Sequence, residues 1–122
     1  MTTAPAPSIQ ASSGLAQTLT ALRASRAVRL DDAEIAALAA ALDGVCAFSI
    51  ELFGSRTDPA ARGGDIDILI LSAAPRLETA RRVSSRFFTH CEERIDVVVL
   101  DPARVSAAEE AFLRSLRLVR IA

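Results

Sequence analysis

Two aspartates, Asp65 and Asp67, stand one residue apart where an apolar stretch begins. Side chains on a β-strand alternate between its two faces, so both carboxylates are predicted to share one face, with their Cα atoms about 7 Å apart. Burying an unpaired charge is costly, and two neighbouring carboxylates repel each other. Because Mg²⁺ prefers oxygen ligands, the pattern predicts that the pair binds this cation. The alternative is a chance pair of solvent-exposed acids at the start of a strand.

A third carboxylate is predicted from Asp96, which lies alone inside the otherwise apolar part of the stretch 94–100. Ile95, Val97 and Val99 can point to the core while Asp96 points to the opposite face. Three carboxylates on two neighbouring strands suit a two-metal centre for phosphoryl transfer, with the ions ~4 Å apart. The alternative is a surface aspartate on an edge strand.

Gly54 and Ser55 follow a predicted strand. Glycine lets a backbone approach a ligand closely, and a Gly-Ser turn that leads into a helical turn presents backbone N–H groups and a hydroxyl. These features predict an anion site for the phosphates of a nucleotide. Arg56 is predicted to add positive charge to this site, the alternative being a solvated side chain. Arg62 is predicted to be solvated.

Hydrophobic periodicity predicts the elements that position these residues. Leucines at helical spacing predict a first helix over about 15–26, and Asp31 or Asp32 is predicted to cap a second helix that ends near Gly44. Further strands are predicted at 46–53, 66–71, 94–100 and 117–121, a loop at 57–64, and further helices at 76–90 and 107–115. This order predicts an α/β (α+β) fold, a small mixed β-sheet with helices packed on it.

The chain is predicted to contain one domain over 15–122, preceded by a flexible tail over 1–14 that is rich in Thr, Ala, Pro and Ser. Within the helix at 76–90, the apolar side chains are predicted to face the core: Leu77, Ala80, Val83, Phe87 and Phe88.

Composition narrows the classes of protein to consider. The formal net charge is −1, and all 14 positive residues are scattered arginines, which with few aromatic residues argues against binding of long nucleic acids. We find no signal-peptide pattern and no apolar run of transmembrane length. Cys46 and Cys91 have no metal-ligand spacing and are predicted to be reduced thiols. A cytoplasmic protein without membrane contact is therefore expected.

Gly54-Ser55, nine intervening residues, Asp65-Ile66-Asp67 and the later strand residue Asp96 together resemble the polymerase-β-type nucleotidyltransferase superfamily. The pattern is most similar to that of the minimal nucleotidyltransferases, and it covers about 31–122. Gly64 departs from that branch, which often has Ser before the first aspartate. The resemblance implies the nucleotidyltransferase fold.

The resemblance also implies an activity and a set of site residues. Members bind a nucleoside triphosphate with Mg²⁺ and transfer the nucleoside monophosphate to an acceptor hydroxyl, releasing pyrophosphate. Carried over to this chain, Gly54 and Ser55 would hold the triphosphate, Asp65 and Asp67 would ligate metal, and Asp96 would be the third ligand and could take the acceptor's proton.

Minimal nucleotidyltransferases are typically encoded with a HEPN-domain ribonuclease, and many such pairs act as toxin and antitoxin. The chain is therefore expected to transfer AMP from ATP to a hydroxyl of a HEPN toxin, with tyrosine as the expected acceptor, and to assemble with that partner. One alternative is an antitoxin that neutralises the toxin by complex formation without catalysis. Another is a small-molecule nucleotidyltransferase of the aminoglycoside-modifying type, which the sequence disfavours because no helical acceptor domain is recognised in it.

Overall fold

The protein is described by a computed structural model that covers residues 9–10 and 14–122. In these ranges the chain forms six β-strands, four α-helices and one 3₁₀ turn. In chain order the elements are β1 (Ile9–Gln10), α1 (Leu15–Ala24), α2 (Asp32–Leu42), β2 (Cys46–Ala47), β3 (Ser49–Phe53), the 3₁₀ turn Gly54–Thr57, β4 (Ile66–Leu71), α3 (Arg76–His90), β5 (Ile95–Leu100), α4 (Ala107–Ser115) and β6 (Val119–Arg120).

Four of the strands form one mixed sheet in the order β5-β4-β3-β6. β3 and β4 are antiparallel neighbours joined by the spacer loop 54–65, and β4 runs parallel to β5, with α3 as the crossover between them. β6 adds antiparallel to the other side of β3. The mixed α/β architecture predicted from the sequence is thus confirmed, and it is consistent with a nucleotidyltransferase-like fold.

Two helices begin at side chains that cap them. Asp31 accepts a hydrogen bond from the backbone N–H of Glu34, and the Glu34 side chain accepts one from the Asp31 N–H, so α2 starts at a complete capping box. Ser106 and Glu109 form the same reciprocal pair at the start of α4. Each box satisfies two N–H groups that would otherwise lack a partner at the helix end, which explains why both starts could be read from the sequence.

The main core lies between one face of the sheet and the helices α1, α2 and α3. The prediction for α3 was right for Val83 and Phe87, which are fully buried, and wrong for Leu77 and Phe88, whose side chains are 74% and 52% exposed. The buried stripe of α3 recurs every four residues, at Thr79, Val83 and Phe87. Adjacent helical residues point about 100° apart, so Phe87 and Phe88 cannot both face the core.

The other face of the sheet carries a smaller apolar cluster at its centre. Phe53, Leu69 and Leu100 are buried there, and helix α4 packs over them although none of its own residues is fully buried. Asp67 and Asp96 share this face, because they alternate with the core residues of β4 and β5. The sheet therefore presents a carboxylate end and an apolar centre on the same side.

Most of the predicted tail, residues 1–8 and 11–13, lies outside the described residues. Ile9 and Gln10 within it form β1, which pairs antiparallel with β2, a pairing the sequence analysis did not predict. Across the part of the chain that the structure describes, none of the helices has the length and hydropathy needed to cross a membrane.

Candidate active site

The three predicted carboxylates are brought together at one end of the sheet. Asp67 in β4 and Asp96 in β5 are direct partners in the parallel register, and Asp65 lies just before β4. Asp65 and Asp67 are half-buried, whereas Asp96 is exposed. The parallel pairing is what places two acidic residues from segments 29 positions apart side by side.

Asp67 is the electrostatic centre of this cluster. Its partial burial raises its pKa above the usual range, and the negative charges of Asp96 and Asp65 raise the pKa further. A hydrogen bond between the carboxyl groups of Asp67 and Asp96 acts in the same direction. A site in which carboxylates hinder one another's ionisation is a site where a cation would stabilise the ionised forms.

The donor set fits Mg²⁺ bound together with a nucleotide. Within residues 9–10 and 14–122, no three acidic, His or Cys side chains are arranged so that they alone could enclose a metal ion. Mg²⁺ rarely uses such a cage: it is usually held by one or two carboxylates, with phosphate oxygens and water completing an octahedron. The pair Asp67–Asp96, with Asp65 beside it, supplies the carboxylate share of that arrangement.

Gly54 packs directly against the carboxylate cluster. Its φ of +76° lies in the left-handed region that favours glycine, and a Cβ placed on it would overlap Oδ2 of Asp67 and come within 3.2 Å of the Asp67 Cγ. A Cβ placed on Gly64, whose φ is +86°, would likewise overlap the Oγ of Ser55. Two glycines therefore let the Gly-Ser turn touch the strand that carries the aspartates.

Ser55 presents a hydroxyl that makes no hydrogen bond to the described residues. Its backbone carbonyl is held instead, accepting from the Asp58 N–H at 3.0 Å and from the Arg29 guanidinium at 2.9 Å. The 3₁₀ turn that contains it starts without a side-chain cap. The backbone of the turn is thus held by hydrogen bonds, while the hydroxyl of Ser55 is available to a ligand.

Arg56 occupies a different place from the one predicted. Only 6% of the residue is exposed, and its guanidinium forms a two-pronged ion pair with Glu34 of α2, with both N–O distances at 2.8 Å. It also donates to the carbonyls of Gly64 and Arg29, each at 3.0 Å. With its donors used in this way, Arg56 is a framework residue, and the phosphate contact predicted for it is not supported. Burial alone would lower its pKa, but the hydrogen bond and charge of Glu34 raise the pKa above its usual value.

A second arginine, Arg29, was missed by the sequence analysis. Its guanidinium donates to three backbone carbonyls of the spacer loop, those of Ser55, Asp58 and Gly63, at 2.8–2.9 Å. No local pattern marks this role, because Ser55, the first residue whose carbonyl it holds, lies 26 positions later in the chain. Arg29 and Arg56 together fix the loop that joins the Gly-Ser turn to the aspartates.

Gly54→Ala is expected to weaken the response of the protein to Mg²⁺ far more than Gly63→Ala does. Both positions have positive φ, so each alanine costs about 1–2 kcal/mol of backbone strain. A Cβ on Gly63 meets nothing within 4 Å, whereas one on Gly54 pushes the Asp67 carboxylate aside. Thermal unfolding with and without Mg²⁺ would measure both effects. An equal Mg²⁺-induced shift in the two variants would contradict the assignment of Gly54.

Asp67→Asn is expected to stabilise the metal-free protein, increasingly so as the pH rises. The pKa of Asp67 is raised by folding, so the contribution of this residue to stability is fully present below its unfolded pKa of about 4 and is lost as the pH rises through the folded pKa. Asparagine cannot ionise and escapes this loss. Unfolding curves in EDTA between pH 4 and 8 would show a growing gap, with the exposed-acid variant Glu92→Gln as control. A gap that is constant with pH would refute the electrostatic explanation.

Comparison of the chain with protein-family models, with curated proteins and with solved structures finds no match.

Proposed function

We propose that this protein is a Mg²⁺-dependent nucleotidyltransferase of the minimal, polymerase-β-like type, which transfers AMP from ATP to a hydroxyl group of a protein. The observation that carries the proposal is the contact between the Gly-Ser turn and the carboxylates: Gly54 abuts Asp67, whose register partner is Asp96. A phosphate held at this turn would lie beside the carboxylates, as metal-assisted transfer of a nucleotide requires.

Each residue of the site has a role in this proposal. The open backbone at Gly54 and the hydroxyl of Ser55 would bind the phosphates. Asp65, Asp67 and Asp96 would hold Mg²⁺, which when bound neutralises the triphosphate and the charge that develops during transfer. Arg29 and Arg56 would keep the turn and the strand at a fixed distance through their bonds to loop carbonyls.

Asp96 is the most exposed of the three carboxylates, which supports a role for it at the acceptor. It would accept the proton of the acceptor hydroxyl as that oxygen attacks the α-phosphorus of ATP. The bond from the α-phosphorus to its bridging oxygen breaks, and pyrophosphate leaves. Asp96 then returns the proton to solvent.

The acceptor would dock on the apolar side chains that share this face. Phe112 of α4 is 41% exposed and packs edge-to-face on Phe53, with ring centroids 6.1 Å apart, and Phe53 directly precedes Gly54. Leu118, 36% exposed, follows α4. An exposed aromatic edge next to a polar site favours a protein acceptor over a small polar molecule.

From the resemblance of the motif to minimal nucleotidyltransferases, we propose that the acceptor is a HEPN-domain toxin, modified in the cytoplasm on a tyrosine hydroxyl. The test is incubation of this protein with a HEPN protein encoded beside it, Mg²⁺ and ATP labelled at either the α- or the γ-phosphate. Transfer of AMP places the α-label, and not the γ-label, on the partner.

The variant Asp65→Asn/Asp67→Asn is expected to transfer no label and to leave the toxin active. Labelling by this variant, or none by the wild type, would refute the catalytic proposal. If the variant still neutralises the toxin without labelling it, neutralisation occurs by complex formation, the non-catalytic alternative.

A further inference from the structure

A pocket of about 420 Å³ lies between the end of α1, the start of α2 and the spacer loop. Its charged lining consists of Arg23, Arg26, Arg29, Arg56, Asp31 and Glu34, and we call it the arginine pocket. The glycine, serine and aspartates of the candidate active site do not line it. The pocket borders the same spacer loop as the candidate active site, because Arg56 and Pro59 line it and Arg29 donates to the carbonyl of Ser55.

The charges of the arginine pocket do not cancel. Arg56 is paired with Glu34, and Arg23 lies 2.7 Å from Asp32, which stands outside the lining. Arg29 donates only to neutral backbone carbonyls. The remaining acid, Asp31, accepts the N–H of Glu34 at 2.7 Å as the helix cap and keeps its charge, so the lining holds four arginines against two acids.

Arg26 is the most available cation of the pocket. The residue is exposed, and its side chain forms no hydrogen bond or ion pair with the described residues. Two of the four lining arginines, Arg26 and Arg29, thus have no carboxylate partner in the part of the chain that the structure describes. An anion would find two guanidinium groups there that form no ion pair with the described residues.

The backbone at Arg26 is strained in a way that makes an arginine unexpected. Its φ is +64°, and it is the one non-glycine residue with positive φ among the described residues. It closes α1: the Arg26 N–H donates to Arg23 and the Ala27 N–H to Leu22, the two bonds of a Schellman motif. Glycine is the usual residue at this position. Strained non-glycine residues cluster at active sites and ligand sites.

We propose that the arginine pocket binds the phosphate group of a small phosphorylated molecule through Arg26 and Arg29. The planar guanidinium matches two phosphate oxygens at once, and the pocket volume lies in the range of small-ligand sites. Val28 and Leu30 form an apolar wall against which the rest of the ligand can pack. The proposal does not depend on the proposed nucleotidyl transfer.

Occupancy of the pocket is coupled to the loop. Arg29 donates to the loop through Nε and one terminal nitrogen, and its other terminal nitrogen makes no hydrogen bond to the described residues. A phosphate bound to that nitrogen would fix the guanidinium that holds the carbonyl of Ser55. Ligand binding would therefore stabilise the loop that carries the Gly-Ser turn.

The test is calorimetric titration with inorganic phosphate and with AMP, in EDTA at low ionic strength, so that metal-assisted binding is absent. Wild type is compared with Arg26→Gly, which removes the guanidinium and relieves the strained φ, and with Asp65→Asn/Asp67→Asn, which leaves the pocket intact. We expect Arg26→Gly to unfold at a higher temperature than wild type and to bind phosphate roughly tenfold more weakly, the loss typical of one charge-assisted hydrogen bond.

The double aspartate variant is expected to bind phosphate at least as well as wild type. Tighter binding of AMP than of phosphate would identify a phosphorylated molecule that uses the apolar wall, and equal binding would identify a site for the phosphate group alone. Absence of saturable binding by wild type, unchanged affinity in Arg26→Gly, or equal affinity for acetate would overturn the proposal.

Discussion

Asp96→Asn is expected to lower the rate of nucleotidyl transfer roughly 10³-fold while ATP binding in Mg²⁺ changes by only a few-fold. Asp96 is exposed on β5, which flanks β4 on the side away from β3, whereas the Gly-Ser turn that follows β3 and would bind the phosphates touches Asp67 itself. Removing the Asp96 charge should therefore impair proton removal from the acceptor more than capture of the nucleotide.

The measurement is single-turnover labelling of the acceptor, with the affinity for a non-hydrolysable ATP analogue measured separately. Glu92→Gln is the matched control, because it removes one exposed carboxylate from the loop just before β5 and should change neither quantity. A parallel loss of nucleotide binding and rate in Asp96→Asn would assign Asp96 to the phosphate–metal site alone. Unchanged transfer would exclude any part of Asp96 in the reaction.

The carboxylate end of the site was predictable because strand alternation is a local rule. An acid that interrupts an apolar strand must point away from the core, so Asp67 and Asp96 could be assigned to one face before their pairing was known. Their direct register, Asp67 opposite Asp96, needs the parallel β4–β5 pairing, which the predicted order of strand, helix and strand already favoured.

The framework behind the site was not predictable, because it depends on pairings between distant segments. Glu34 completes the capping box of α2 as its third helical residue. Its carboxylate also pairs with the guanidinium of Arg56, 22 residues away. Nothing in the sequence around Arg56 distinguishes a buried guanidinium from a phosphate ligand. One feature points to burial of Glu34: it stands in the first turn of a helix next to Ile35, and both residues are buried.

Glu34→Gln is expected to lower the free energy of unfolding by about 3 kcal/mol, the low end of the cost of removing one partner from a buried ion pair. Glu34 and Arg56 are 3% and 6% exposed, so Arg56 would keep a buried charge with only the more exposed Glu93, 3.9 Å away, as counter-charge. Urea unfolding would measure the loss. The control is Glu110→Gln, which breaks the exposed Glu110–Arg114 pair at 2.6 Å and should cost less than about 0.5 kcal/mol.

The second variant Glu34→Gln/Arg56→Met separates the ion pair from mere packing. The double variant also removes the positive charge of Arg56. It should therefore recover part of the stability that Glu34→Gln loses, because replacing a buried ion pair by apolar groups is often neutral or stabilising. If the effects of the two single substitutions simply added, the two side chains would not be coupled, and the framework role of the pair would be refuted.

The double variant Glu34→Gln/Arg56→Met also separates the effect of the ion pair on protein stability from its effect on the position of the Gly-Ser turn. Arg56 donates to the carbonyls of Gly64 and Arg29, so replacing it by methionine also frees the loop that carries Ser55. We expect Glu34→Gln/Arg56→Met to fold and yet to transfer nucleotide slowly, because a 1 Å displacement of a positioned group can cost about 10²-fold in rate. Full activity in the refolded double variant would mean that Arg29 alone positions the Gly-Ser turn, through its bonds to Ser55 and Gly63.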